Sequence, residues 1–327
     1  MNAKKILTFS LKLAITFLVF WWIDKSFGFS NIVQTISNAN FLWFAGAVFI
    51  HIVSIILGAW QWRIILKNRG LRLSVFETLK LYYTGMFFNN FIFGTIAGDS
   101  FKVAVLHKEK HRGKSGFAAT FLDRFAGLAV LSVFAVAGTI YMNAVNYANS
   151  RDLSHSVLVL AFFAVVLTLV FSILFSKHLQ ISFSKILLKL PFEAAQRIEG
   201  IVSSVYIDRR NKKDIKMLSR IFSFSFLIQT LRISTHVFCA AALGIFALNT
   251  LHYYFVIIPI TALLMMVPLP FGVIPAIAGA LFAAVGFNPE SAMVMQFSAT
   301  IVGIIGSLAG AVFFLWDNPS IDRKSPK

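Results

Sequence analysis

The chain alternates long apolar runs with short polar segments, and the runs are long enough to cross a bilayer. About 20 apolar residues in an α-helix span the ~30 Å hydrocarbon layer of a membrane. Six runs predict full spans, at residues 6–23, 41–60, 117–142, 156–176, 221–247 and 291–316. The pattern therefore predicts an all-α, polytopic membrane helical bundle that forms a single integral membrane domain over residues 1–327.

Two further apolar stretches, 79–101 and 254–287, are interrupted by glycine, proline or polar residues. Basic loops flank the first stretch, whereas the flanks of the second carry no Lys or Arg. We therefore expect re-entrant hairpins, the first entering from the cytoplasm and the second from the outside. Such a pair is typical of inverted-repeat transporters. The alternative is two kinked spans, which would put the basic loop 177–220 outside, against the positive-inside rule.

Glycine and proline break the backbone of both stretches. In GTIAGDS, Gly94 and Gly98 permit a tight turn and a close approach between backbones. In the second stretch, prolines remove helix donors and a glycine loosens the chain, which predicts a hinge or a backbone-lined wall. These hinge residues are Pro268, Pro270, Gly272 and Pro275.

Composition and charge agree with a membrane protein. The chain is 58% hydrophobic and 13% charged, whereas soluble domains carry about 25% charged residues. A net charge of +17 would suggest nucleic acid in a soluble protein, but most of the basic residues map to one face. The positive-inside rule then predicts a multi-pass inner-membrane protein with both termini cytoplasmic and no nucleic-acid partner. Residues 177–220 become a cytoplasmic amphipathic loop, whose helix lies on the membrane or packs on the bundle, and 317–327 a cytoplasmic tail.

Polar residues inside apolar runs are costly in lipid, so they are the candidate site residues. NNFIFGTIAGDSFK, residues 89–102, places Asn89, Asn90, Asp99 and Lys102 in one such run. A helix that restarts at Asp99 would put Asp99 and Lys102 on one face. A head-group or ion site is one interpretation, and a satisfied turn with Asp99 as the helix cap is the other.

The run 221–247 contains Ser225, Gln229, Arg232 and His236, whose 4-3-4 spacing places all four on one helix face. Arg232 lies about 16 Å along this run, too deep for its side chain to reach the interface easily. It must therefore meet a carboxylate, a phosphate or water. Its planar fork suits phosphate, and the alternative is an ion pair with Asp123 or Asp99.

Asp123 and Arg124 are sequence neighbours in the run 117–142, so they point about 100° apart and need separate partners. Arg124 either joins a phosphate site or anchors at the inner interface. We predict that three cations bind a lipid phosphate: Arg232, Lys102 and Arg124. The predicted head-group or cavity residues are Asn89, Asn90, Asp99, Asp123, Ser225, Gln229 and His236. No catalytic residue, metal site or cofactor is predicted, since His107 and His111 lack a third ligand and no nucleotide motif is present.

FFNNFIFGTIAGDSFKVAVL, followed by FLDRFAGLAVL and later by PLPFGVIPAIAG and GFNPESAMVM, resembles the lysylphosphatidylglycerol synthase transmembrane-region family. The resemblance covers about Trp62 to Trp316 and implies a flippase-like membrane protein. Members often carry proline where Phe93 stands and glycine where Ala97 stands. They also often have a charged element where residues 274–277 carry no charge. In founding members this region precedes a soluble aminoacyl-transferase domain, which this chain lacks, so the resemblance argues against an enzyme.

We therefore predict a lipid translocase that moves an anionic phospholipid or a polyprenyl-phosphate-linked lipid across the inner membrane. One alternative is a membrane transferase that uses a lipid-linked donor, including a phosphatidylglycerol lysyltransferase. Another is a non-catalytic accessory subunit, docked through residues 177–220. The expected partners are anionic membrane lipids and a lipid-synthesising enzyme or glycosyltransferase.

Overall fold

The computed structural model describes residues 21, 34, 37–90, 95–110, 112–144, 207, 210–265, 269 and 272–316, with isolated positions between 161 and 181. This part of the chain is helical and contains no strand, which confirms the all-α prediction. The predicted span 6–23 lies outside the described residues apart from residue 21. The span 156–176, most of the loop 177–220 and the tail 317–327 also lie largely or wholly outside them.

The helices follow one another closely along the described segments. They are α1 Phe41–Asn68, α2 Val75–Phe88, α3 Thr95–Lys110, α4 Gly113–Ala144, α5 Lys212–Ala242, a 3₁₀ turn Leu248–Thr250, α6 Leu251–Leu264, α7 Val273–Ala284, α8 Pro289–Ser307 and α9 Ala309–Trp316.

Three of the predicted spans coincide with helical segments that are long and apolar enough to cross a membrane: Phe41–Asn68, Gly113–Tyr141 and Pro289–Trp316. Large apolar side chains face outward on these segments, for example Phe49 at 67% exposure and Ile140 at 64%. Such surfaces are stable next to lipid and are unusual over long stretches of a soluble protein. The predicted span 291–316 is interrupted, because α8 ends at Ser307 and α9 restarts at Ala309.

Helix α5 differs from the predicted span 221–247 at both ends. It begins at Lys212, where the Asn211 side chain accepts a hydrogen bond from the Lys213 backbone N–H at 3.0 Å. It ends at Ala242, just before Gly244 turns the chain with φ +69°. Residues 212–220 therefore belong to a helix and not to the loop. Hydropathy sets the boundary too late, because Lys and Arg are good helix formers although they are polar.

Helices α2 and α3 form a tight hairpin around the first interrupted stretch. A capping box between Ser74 and Glu77 starts α2. A Cβ atom on Gly98 would overlap the backbone carbonyl of Gly85, so the two helices touch backbone to backbone there. Because α3 begins at Thr95, Asp99 lies inside the helix and does not cap it, contrary to the satisfied-turn interpretation. Gly94 lies outside the described residues.

The second interrupted stretch is also a pair of helices, α6 and α7, with a break between them. Gly272 starts α7 with a left-handed φ of +89°, a conformation that favours glycine. Pro275 lies in the first turn of α7, where its missing N–H removes no helix hydrogen bond. Pro268 and Pro270 lie outside the described residues. The hinge function of this stretch stays a prediction.

The buried apolar side chains form two clusters along the bundle. One contains Ala47 of α1 and Ile233 and the chain's one cysteine, Cys239, of α5. The other contains Ile55 of α1 and Ile221 of α5. Residues 48–54 of α1 and 222–232 of α5 fall between the two clusters along their helices.

Candidate functional site

Asp99 is the centre of a three-residue charged cluster that joins α3 to α4, which we call the Asp99 cluster. Arg124 of α4 binds the Asp99 carboxylate with two hydrogen bonds, from Nε at 2.8 Å and from Nη2 at 3.1 Å. Lys102 approaches the same carboxylate from within α3, with its Nζ 3.0 Å from Oδ1. The predicted shared face of Asp99 and Lys102 is therefore observed. Arg124 binds a carboxylate within the bundle, and its anchoring at the membrane interface stays a prediction.

Aromatic rings enclose the Lys102 ammonium. Its Nζ lies 5.2 Å from the centre of the Trp62 ring and 4.7 Å from the centre of the Tyr82 ring. The residue is only 2% exposed. Cation–π contacts of this kind stabilise a desolvated ammonium group. The protein itself thus provides Lys102 with a counter-ion and two aromatic neighbours.

Asp123 starts a second buried polar connection that crosses three helices. Its Oδ1 accepts a hydrogen bond from Gln61 Nε2 of α1 at 2.9 Å. Ser225 of α5 donates from its hydroxyl to Gln61 Oε1 at 3.0 Å. All three residues are less than 9% exposed. The hydrogen bonds fix how α1, α4 and α5 pack, and Gln61 is a polar residue that the sequence analysis missed.

The two adjacent amides hold the α2–α3 hairpin in place. The Asn89 side chain accepts a hydrogen bond from the Gly98 backbone N–H at 2.8 Å. The Asn90 side chain donates to the Gly303 carbonyl at 3.1 Å and to the Ser307 hydroxyl at 2.9 Å. One amide therefore joins α2 to α3 and the other joins α2 to α8. Their predicted contact with a lipid head group stays a prediction.

Arg232 differs from the other two predicted phosphate ligands. It lies twenty residues beyond the start of α5 at Lys212 and is partly buried. Within the described part of the chain, its guanidinium makes no hydrogen bond and no salt bridge. Asp99 is bound by other cations and Asp123 by Gln61. The proposed ion pair of Arg232 with either aspartate is not formed.

Two further polar residues lie near this face of α5 that the sequence analysis missed, His51 of α1 and Gln296 of α8. His51 interacts electrostatically with both Arg232 and His236, and its ring packs against α8 at Gly306. His236 lies beside the Gln296 side chain without forming a hydrogen bond of normal geometry. We call His51, Arg232, His236 and Gln296 the Arg232 cluster. Both missed residues are lone polar side chains in apolar runs, and the cost of burying them was the available signal.

Gln229 lies one helical turn before Arg232 and is 6% exposed. A Cβ atom on Gly127 would come within 2.7 Å of Gln229 Nε2, so α4 and α5 pack closely at this level.

Among the residues that the structure describes, no group of three or more His, Cys, Asp or Glu side chains is arranged to hold a metal ion.

An exposed groove at the start of α5 carries much of the positive charge of this region. Its lining consists of Arg210, Lys212, Ile215, Lys216, Ser219 and Arg220. The groove lies at the end of α5 away from the first apolar cluster, so the basic end and the apolar body of this helix are separate.

The chain matches a known protein family over most of its length. The sequence model described as "Lysylphosphatidylglycerol synthase TM region" matches residues 9–314. A UPF0104 membrane protein of Pyrococcus horikoshii is 22% identical over 141 residues, which cover 42% of this chain and 41% of that relative. The match thus spans about two fifths of the relative's length. No solved structure matches the chain significantly.

Proposed function

The chain belongs to the lysylphosphatidylglycerol synthase TM region family, and from this premise we propose that it translocates a lipid with an anionic phosphate head group between membrane leaflets. The substrate class is a phospholipid or a polyprenyl-phosphate-linked lipid. The chain itself is a helical membrane protein, with apolar helices that are long enough to span a bilayer.

The observation that carries this proposal is the guanidinium of Arg232, which forms no hydrogen bond and no salt bridge with the residues that the structure describes. A charged side chain inside a helical membrane bundle is costly unless it meets a counter-ion, a ligand or water. The two carboxylates that the sequence analysis considered as ion-pair partners, Asp99 and Asp123, already have other partners among the described residues. An anionic lipid phosphate would supply the missing negative charge, and the planar fork of arginine suits two phosphate oxygens at once.

Lys102 and Arg124 differ from Arg232 in this proposal, because both already have a counter-ion. Both bind Asp99 in the structure, so they would contact a lipid phosphate only after Asp99 releases them. A phosphate is a competitor for the same hydrogen-bond donors. We therefore propose that the lipid phosphate first contacts Arg232, and that the Asp99 cluster has a structural role.

The orientation follows from the distribution of charge. We propose an inner-membrane location with the basic groove at the start of α5 on the cytoplasmic side, because cytoplasmic segments are enriched in Lys and Arg. On that side, the groove would also face the anionic lipid surface, which attracts basic residues next to a membrane segment.

Reconstituted proteoliposomes test the translocase function. Fluorescent phosphatidylglycerol should cross the bilayer faster than in protein-free liposomes, as measured by quenching of the outer-leaflet label. Arg232→Gln should slow this exchange by about tenfold to a hundredfold, the cost of losing one hydrogen-bonded charge contact. The matched control is Arg220→Gln, which removes an exposed arginine from the same helix and should leave the rate close to wild type. Equal rates for wild type and Arg232→Gln would refute the proposal.

The basic groove favours a second candidate function, an accessory subunit that docks an acidic surface of a lipid-synthesising enzyme. This candidate predicts co-purification of such an enzyme with wild type, and its loss when Lys212, Lys216 and Arg220 are changed to Ser together. Transport by the purified chain alone, unaffected by these changes, would decide for the translocase.

A further inference from the structure

The last apolar span breaks at Leu308, where α8 gives way to α9. The Leu308 N–H donates to the Ile305 carbonyl at 3.2 Å, three residues back instead of the four of a regular α-helix. The Ser307 hydroxyl donates to the Ile304 carbonyl at 2.9 Å, which a regular helix would keep for the Leu308 N–H. Gly306 precedes Ser307, and helices bend at such glycine–serine pairs.

The two sides of the break pack on different parts of the bundle. α8 contributes Met295 and Val302 to the first apolar cluster. α9 places Phe313 against the second apolar cluster. Leu308 between them is 46% exposed, so core packing does not hold it in place. The break therefore lies where the chain passes from one packed unit to the other.

Helix α9 is packed on the α2–α3 hairpin. The Phe314 ring lies 5.0 Å from the ring of Phe88 of α2 and 6.1 Å from the ring of Phe101 of α3, both edge to face. Aromatic pairs of this geometry add to the stabilisation from apolar burial. A Cβ atom on Gly310 would overlap the Tyr83 carbonyl, so α9 and α2 touch backbone to backbone. The hairpin and α9 are thus one packed unit.

Asn90 joins the tip of that hairpin to the other side of the break. Its Nδ2 donates to the Gly303 carbonyl and to the Ser307 hydroxyl, at 3.1 and 2.9 Å. Both acceptors belong to α8. Asn90 itself lies in a π-helical turn at the end of α2, and such turns are frequent at functional sites. Two neutral hydrogen bonds contribute modestly, so they are easier to break than the ring and backbone contacts of α9.

We propose that Leu308 is a hinge between α8 and α9, and that the Asn90 amide is the latch that holds this hinge closed. When the two hydrogen bonds break, α8 tilts away from the tip of the hairpin, and α9 stays packed on the hairpin. A gap then opens between α2 and α8 without unfolding of either helix. Hinges commonly use residues at the ends of elements, which absorb the backbone rotation. The movement does not require a lipid substrate.

Distances between spin labels on the purified full chain in detergent test the hinge. One label is placed at exposed Ala284, at the end of α7, which packs on α8, and the other at exposed Val312 of α9. The native Cys239 is buried and stays unlabelled. Double electron–electron resonance should give one dominant distance in wild type. Asn90→Ala should raise the ratio of a second, open distance by about tenfold, the effect of losing two neutral hydrogen bonds.

Two further variants show whether the effect belongs to the latch. Asn89→Ala changes the neighbouring amide, which accepts its hydrogen bond from Gly98 inside the hairpin, and should keep the distance of wild type. Asn90→Asp keeps the shape of the side chain but loses the amide donor, so it should shift the distance in the same direction as Asn90→Ala.

A second pair of labels shows whether the hairpin and α9 move together. Exposed Lys108 of α3 and Val312 lie on the same packed unit, so their distance should stay constant in Asn90→Ala. A shift of this pair as large as that between Ala284 and Val312 would show general loosening and overturn the hinge.

The remaining outcomes separate the hinge from the translocase. An unchanged distance between Ala284 and Val312 in Asn90→Ala, or an equal shift in Asn89→Ala, would overturn the latch even if lipid exchange is found in proteoliposomes. A latch that opens in Asn90→Ala without lipid exchange in wild type would support the hinge and refute the translocase.

Discussion

The Asp99 cluster and the Arg232 cluster lie in the same bundle, yet they treat charge in opposite ways. In the Asp99 cluster, a carboxylate holds an arginine and a lysine at hydrogen-bond distance, and aromatic rings enclose the lysine. In the Arg232 cluster, the guanidinium forms no salt bridge with the described residues, and three nitrogen atoms of the cluster have no hydrogen-bond partner among them. The charges of the first arrangement are compensated within the fold, whereas the groups of the second are costly without a ligand. A buried charge alone therefore does not identify a binding site. Whether that charge has a partner within the protein is the better guide.

Removing the central carboxylate should have the largest effect on stability. Asp99→Asn leaves Lys102 and Arg124 without their common partner, and breaking a buried ion pair from one side costs about 3–5 kcal/mol. We expect a large fall in the thermal transition of the purified protein in detergent. Asp123→Asn is the matched control, because an amide oxygen still accepts the hydrogen bond from Gln61. A larger loss for Asp123→Asn than for Asp99→Asn would contradict the central place of Asp99.

The next largest effect should come from Gly98→Ala, which disturbs the hairpin that carries Asp99. The new methyl group would overlap the Gly85 carbonyl, and a backbone group has no rotamer with which to move away. Overpacking typically costs about 1–3 kcal/mol. Thermal unfolding measures the loss, with Gly85→Ala as the comparison. The Gly85 methyl group would lie 3.2 Å from its nearest neighbours, so a small shift accommodates it. Equal stability of the two variants would argue against the backbone contact.

The same substitution at the two arginines compares the clusters directly. Arg124→Gln loses two hydrogen bonds to Asp99 and should destabilise the protein by about 1.5–3 kcal/mol. Arg232→Gln removes a charge that forms no salt bridge with the described residues and is costly in the bundle, so it should leave the free energy of unfolding unchanged or raise it. Lipid exchange should show the opposite order. Relative to the change in stability, Arg232→Gln should lose more of the exchange rate than Arg124→Gln. If Arg232→Gln is the less stable variant, the contrast between the clusters fails.

The smallest effect should come from moving one imidazole of the Arg232 cluster. A methyl group on Gly306 would lie 2.7 Å from His51 Cδ2, so Gly306→Ala should displace the ring. Exchange of fluorescent phosphatidylglycerol should slow by about threefold to tenfold, since the displaced ring no longer presents its nitrogen atoms in the same geometry. Gly303→Ala places the same methyl group three residues earlier, 3.9 Å from the ring, and should exchange lipid as wild type does. Identical exchange in both variants would exclude a part for His51 in lipid movement.

The apolar runs predicted the helices well, because burial in lipid imposes length and composition on every span. The starts of α1 and α4 lie within a few residues of prediction. The bounds of α5 were wrong because capping by Asn211 and termination near Gly244 are local events that hydropathy does not register.

Some residues of the two clusters were named from the sequence, and their functional roles stay predictions. The cost of a buried charge drew attention to Asp99 and Arg232 in the sequence, but that cost does not reveal their partners. The Asp99–Arg124 pair joins residues 25 positions apart on two helices, so it depends on how those helices cross. His51 and Gln296 escaped notice because a single neutral polar residue hardly changes the hydropathy of a long apolar run. Their importance emerges only where α1, α5 and α8 come together.

Cys239 supplies the chain's single thiol, and it is fully enclosed by the first apolar cluster. Maleimide reagents in the surrounding water should therefore leave the native chain unlabelled. A cysteine introduced at exposed Ser219 or at exposed Leu248 would then be the only reactive position in an otherwise unaltered protein. Labelling of intact and opened vesicles would reveal which end of α5 faces which compartment, without first engineering a cysteine-free background.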